Sequence, residues 1–205
     1  AAAQGLYAGI NAALRSQNKD TFIIKRSDGY LGVMIDDLVN KEIREPYRLL
    51  TSRAEYRLLL RQDNADLRFT EMGRKIGLVD DYRWEHFNRK ITQLKEISEL
   101  WHTTVFSIND NHVQELLQEA GSSPLRSSTK AKDLIKRPEI KIEHLQQLIP
   151  EMNQYEQGIL EEAAIEVKYN GYIEKQRDEV RRFIKLEQKE LPRDLDYDQI
   201  RGLSN

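Results

Sequence analysis

The sequence predicts a mainly α fold: a helical domain with a small β portion near its N-terminal third. Three observations carry this expectation. Of the 205 residues 32% are charged and 39% hydrophobic, a balance that suits a helix-rich body with much solvated surface. Apolar residues recur every three or four positions through most of the chain after residue 78. Period-two alternation occurs in one place, between Ala54 and Arg61.

The opening AAAQGLYAGINAALRSQ is alanine-rich, with Leu6, Ile10 and Leu14 at helical spacing, and predicts a helix. Gly5 and Gly9 lie four apart and share one face of it, which permits a close approach to the backbone. TFIIKRSDGYLGVMIDDLV holds two apolar runs separated by a Ser-Asp-Gly turn and ends in Asp36-Asp37. Adjacent carboxylates diverge on any regular element, so capping or solvation is the expected role of that pair. Pro46 imposes extended or turn geometry on Glu45.

From Ala54 to Arg61 the parity favours a half-buried strand, with Ala54, Tyr56, Leu58 and Leu60 on one side and Arg53, Glu55, Arg57 and Arg61 on the other. Thr70 is expected to cap a short helix that Gly77 ends. Asp80-Asp81 opens the next helix, whose stripe is Trp84, Phe87, Ile91, Leu94, Ile97 and Trp101. Another helix spans 110–120 and stops at Gly121. SSPLRSSTKAKD reads as a polar loop, followed by short helices that end near Pro138 and Pro150. The longest pattern runs from about Gln154 to Glu190, striped by Ile165, Tyr169, Tyr172/Ile173, Val180 and Phe183/Ile184. Gly171 inside it implies close packing or a break, because glycine costs ~1 kcal/mol there against alanine.

Several function classes are excluded or disfavoured. No run of about 18 apolar residues is present to span a membrane, and the absence of cysteine rules out disulfides and thiolate chemistry. The sequence holds no G-x-G-x-x-G, no G-x-x-x-x-G-K-[ST], no H-E-x-x-H and no G-x-S-x-G. His86, His102, His112 and His144 occur singly, so no metal site and no catalytic residue is assigned.

Charge distribution is more informative. Residues 1–78 carry 13 Lys/Arg against 10 Asp/Glu, whereas residues 79–205 carry 19 against 24. Within TSRAEYRLLLRQDNADLRFTEMGRK, six cations (Arg53, Arg57, Arg61, Arg68, Arg74 and Lys75) face four acids, Glu55, Asp63, Asp66 and Glu71. Arginine in excess suits phosphate contacts, which position a nucleic acid without reading its sequence. A salt-bridged outer face is the competing reading of the same residues.

EPYRLLTSRAEYRLLLRQDNADLRFTEMGRKIGLVDDYRWEHFNRK resembles the signature segment of the glucose-inhibited division protein A family. The resemblance extends to AAAQGLYAGINAA, RPEI, EVKYNGYIEKQ and LPRDLDYDQIRGLSN, with one departure at NKEIREPYR, where the family has a glycine ahead of the proline. These are tRNA-modifying flavoenzymes, longer than this chain, that with a GTPase partner install a carboxymethylaminomethyl group at C5 of the wobble uridine. The resemblance implies FAD as cofactor, NADH and methylene-tetrahydrofolate as co-substrates, a homodimer, and a cytoplasmic location. It divides the chain into 1–20, the last helix of an FAD-binding domain; 21–78, a mixed α/β basic segment; and 79–205, a helical domain cut short. Gln4, Gly5 and Gly9 would then touch or pack near flavin, with negative charge on the reduced ring stabilised by the helix N-terminus. On this reading the arginine row is tRNA-binding and the segment alone is inactive and colourless. The alternative is a helical protein-interaction module, for a second copy or the GTPase, with structural arginines.

Overall fold

The computed structural model of the chain describes residues 2–190. Eight α-helices follow in order: α1 Ala2–Ser16, α2 Tyr30–Asn40, α3 Ala65–Lys75, α4 Asp81–Thr103, α5 Asn111–Glu119, α6 Ala131–Leu134, α7 Ile142–Leu148 and α8 Gln157–Glu187. The β content among the described residues is one antiparallel pair, β1 Val105–Phe106 and β2 Thr129–Lys130, in register Val105 to Lys130 and Phe106 to Thr129. The mainly α expectation is therefore correct. The small β portion lies beside α4 and α6, not in the N-terminal third, and it falls partly in the segment read as a polar loop.

Helix boundaries follow the local chemistry. The Asp80 side chain accepts from the Arg83 N–H at 2.8 Å, and Asp110 accepts from His112 and Val113, each satisfying free donors at a helix start. Gly77 and Gly121, at φ +83° and +69°, end α3 and α5 in the left-handed region. Thr70 is not a cap. The helix begins a turn and a half earlier, after Asn64, and Thr70 lies inside it.

Residues 54–61 form turns and not a strand. Among the described residues no neighbouring strand is available to take their backbone groups. The Tyr56 carbonyl instead accepts from Leu59 and Leu60 N–H at 2.9 and 3.1 Å, and Leu58 N–H donates to the Gln176 side chain of α8 at 3.1 Å. The burial parity nonetheless persists: Ala54, Tyr56 and Leu60 are buried, while Glu55 and Arg57 are exposed.

Two hydrophobic clusters result. The larger gathers Ile97 and Trp101 of α4, Val113 and Leu117 of α5, Leu134 of α6, Leu145 of α7 and Leu160 of α8, with Trp101 Nε1 donating to Met152 Sδ at 3.4 Å. The smaller joins Val33, Ala54, Tyr56 and Leu60, with Val180 of α8 packed against it. One helix, α8, thus serves both. Gly171 neither breaks it nor marks close packing, since a Cβ there would meet nothing within 4 Å. Of its predicted stripe, Ile173 is buried, but Tyr169, Tyr172 and Phe183 remain substantially exposed. The LPRDLDYDQIRGLSN tail lies outside the described residues.

Candidate nucleic-acid interface

The basic segment is held by an ionic frame that starts at the Ser-Asp-Gly turn. Asp28 closes that turn by accepting from the Lys25 N–H at 2.8 Å. Gly32 of α2 then packs directly on the Lys25 carbonyl; a Cβ at residue 32 would lie 2.0 Å from that oxygen. This close approach folds Arg26 under α2. Its guanidinium reaches Asp36, Asp37 and Glu55, each at 2.7 Å, and donates to the Arg53 carbonyl at 3.1 Å.

Asp37 is the centre of the frame. Its side chain is 0% exposed and accepts from Arg26, from Lys41 at 2.7 Å and from the Tyr47 hydroxyl at 2.9 Å. Burial works to raise its pKa, but the bonds from Lys41, Arg26 and Tyr47 outweigh burial and hold it at about 2. Burial likewise opposes the charge on Arg26, yet bonding to Glu55, Asp37 and Asp36 raises its pKa above the ordinary arginine value. The expected capping role of Asp36-Asp37 is replaced by this ion cluster. Spacing along the chain could not reveal it, because Arg26 is a single cation whose partners lie 10, 11 and 29 residues away.

The six cations of the arginine row do not form one ladder. Arg61 is tied down, donating to Asp63, to Glu166 of α8 at 2.8 Å and to the Leu58 carbonyl at 2.7 Å. Arg68 donates to Asn64 Oδ1 at 3.1 Å, to the Arg61 carbonyl at 2.8 Å and to the Asp28 carbonyl, so it fastens α3 to the turns on either side. Burial and the neighbouring Arg61 charge lower its pKa. Arg74 joins Asp81 at 2.5 Å and the Val79 carbonyl at 2.9 Å, and its guanidinium lies 5.9 Å from the Trp84 ring centre. Arg53 sits 5.0 Å from the Tyr47 ring centre and 3.8 Å from Asp37, its side chain 30% exposed. Arg57 and Lys75 are exposed and make no ion pair among the described residues.

A second ionic cluster ties α3, α4 and α8 together. Lys90 Nζ lies 2.7 Å from Asp66 and 2.6 Å from Glu162, whose side chain is 4% exposed. Burial raises the Glu162 pKa even though Lys90 pulls the other way. One Glu162 oxygen is buried without a hydrogen-bond partner. These residues border a cleft of about 830 Å³ that also exposes Tyr82, Arg83, His86 and Arg89. No group of metal-ligating side chains occurs among the described residues.

Gln4, Gly5 and Gly9 are exposed on α1, and a Cβ at either glycine would meet nothing within 4 Å. Free N–H groups of the first turn are present there, but no wall among the described residues encloses them, so these residues do not by themselves fit a flavin. Between α1, α3 and the 22–31 segment lies an apolar cavity of about 510 Å³, lined by Leu6, Ile10, Phe22, Phe69 and Met72 among others.

Residues 81–177 match the model of the tRNA modifying enzyme MnmG/GidA C-terminal helical domain. The chain is 57% identical, over its whole length, to a protein of Desulfitobacterium hafniense named tRNA uridine 5-carboxymethylaminomethyl modification enzyme MnmG, and covers 32% of that protein. A protein of the same name from Syntrophomonas wolfei is 51% identical, again over the whole chain and 32% of its own length. The crystal structure of Aquifex aeolicus GidA, form II, superposes with a TM-score of 0.72 at 35% identity, covering 98% of this chain and 31% of that one. The chain spans about a third of the length of the curated relatives it matches. By model, by sequence and by fold, the chain is similar to the part of the MnmG/GidA proteins, about a third of their length, that includes their C-terminal helical domain.

Proposed function

We propose that the intact protein adds a carboxymethylaminomethyl group to C5 of the wobble uridine of tRNA, acting with a GTPase, and that the present segment contributes tRNA phosphate contacts. The observation that carries the tRNA role is a division of labour within the arginine row. Arg61, Arg68 and Arg74 are consumed by the fold, and the frame they build presents Arg57 and Lys75 to solvent without counterions among the described residues. Arg53, stacked near Tyr47 and part exposed, borders the same frame. Cations so placed gain more from a polyanion than from a surface carboxylate.

In the intact protein the chemistry would rest on FAD, with NADH and methylene-tetrahydrofolate as co-substrates. The segment supplies no catalytic group, and Gln4, Gly5 and Gly9 would border the flavin from one side. A cytoplasmic location accords with that substrate, and no helix among the described residues is long and apolar enough to cross a membrane.

Binding of tRNA by the intact protein, measured across a range of salt, tests the reading. Arg57→Ala with Lys75→Ala is expected to weaken binding about tenfold and to lower the salt slope by about 1–2. Unchanged affinity and slope would overturn it. Exposed Tyr169 and Phe183 on α8 favour a second reading, docking of the GTPase or a second copy of the chain. Loss of that association on Phe183→Ser, with tRNA binding intact, would support it.

A further inference from the structure

The outer side of α8 carries a cationic row that the arginine segment does not account for. Lys168, Lys175, Arg182 and Lys189 recur every seven residues, the last just past the helix end at Glu187. A seven-residue step drifts only ~20° around an α-helix, so these positions share one side. Lys168 is anchored, its Nζ donating to the Ile140 carbonyl at 3.0 Å. Lys175, Arg182 and Lys189 are exposed and have no ion pair among the described residues.

The acids of the helix that flank the row form no ion pair with Lys175, Arg182 or Lys189 among the described residues. Glu174 and Asp178 are engaged by Arg177 and Arg181. Glu179, four residues after Lys175 and three before Arg182, is exposed beside the row and makes no ion pair with it among the described residues. What remains is a run of three cations without an ion pair among the described residues, about 21 Å long at 1.5 Å per residue. Tyr172, 63% exposed, lies at its edge.

This row meets the arginine segment. Leu58 N–H donates to the Gln176 side chain and Gln176 donates to the Glu55 carbonyl, so the backbone on either side of Arg57 is fastened to the middle of α8 at the residue that follows Lys175. We propose that Lys175, Arg182 and Lys189 continue the Arg57 contact as a phosphate-binding track for an RNA backbone, with Tyr172 offering a ring on which an unpaired base stacks. The track rests on the tRNA reading given above and extends it along a second element. Its occupant is an RNA strand because the groups are cations in file beside an aromatic ring, a pairing that suits phosphate and unpaired base together.

The test uses the intact protein and a tRNA transcript, titrated at several salt concentrations. The triple variant Lys175→Gln, Arg182→Gln, Lys189→Gln is expected to weaken binding about tenfold and to lower the salt slope by about 2–3. The charge-preserving variant Lys175→Arg, Arg182→Lys, Lys189→Arg should retain wild-type affinity. A thermal melt checks that both variants fold, as expected of exposed positions. If the triple variant binds normally while Arg57→Ala with Lys75→Ala is weakened, the track is wrong and the tRNA reading stands. If no variant alters binding, both fall. If the triple variant loses association with a protein partner and keeps tRNA, the face is a protein-docking surface and the track is again overturned.

Discussion

Arg26 and Asp37 meet at 2.7 Å with the carboxylate wholly out of solvent. Each is held by further partners, Arg26 by Asp36 and Glu55, Asp37 by Lys41 and Tyr47. Removing the guanidinium would leave a buried carboxylate short of its main counterion. Arg26→Met is expected to cost about 3 kcal/mol in urea unfolding. A loss below about 1 kcal/mol would show that Lys41 and Tyr47 suffice.

The same carboxylate gives an acid limb to stability. Asp37 in the folded protein titrates at about 2, below the ordinary 3.8. A depressed folded pKa contributes stability that is complete above the unfolded value and disappears as pH falls through the folded one. Melting temperature should therefore decline from about pH 4 towards pH 2, with Asp37→Asn, itself less stable, showing a shallower decline across that window. Parallel profiles for the two proteins would refute the assignment.

Lys90 lies between two carboxylates, Asp66 and Glu162, and is bonded to both. Lys90→Met is expected to destabilise by about 3 kcal/mol, since two partly or fully buried acids then face each other unpaired. Glu162→Gln should cost less, because Lys90 keeps Asp66 and one Glu162 oxygen already has no partner. Chemical denaturation of the two variants side by side decides the order.

Two glycines should respond in opposite directions. A methyl at residue 32 would strike the Lys25 carbonyl, whereas one at residue 171 enters open space. Gly32→Ala is expected to cost about 1–3 kcal/mol, and Gly171→Ala to add about 1 kcal/mol through helix propensity. Thermal melts of both variants test the pair.

Much of the helical architecture was legible in the sequence, because caps and apolar spacing are local signals. Asp80, Asp110, Gly77 and Gly121 mark real boundaries, and Phe87, Ile97 and Trp101 are buried as their spacing implies. The turn at 54–61 misled because alternation reports which residues face a core and not whether a neighbouring strand exists to pair with them. The core contact there is with α8, more than 100 residues away in sequence. The same distance problem hid Glu166 as the partner of Arg61 and Glu162 as the partner of Lys90. Counting charges within 53–75 could not include acids contributed by α8.

Because α8 is unbroken from Gln157 to Glu187, it works as a lever about 46 Å long at 1.5 Å per residue. Its first turns are clamped among the residues around Trp101, and its later turns press on Val33 and Tyr56 through Val180. A tilt imposed at one end must then be absorbed at the other, since no hinge interrupts the rod. On the proposed tRNA reading, a load placed on Arg57 or Arg182 would be passed along this rod to the far helices.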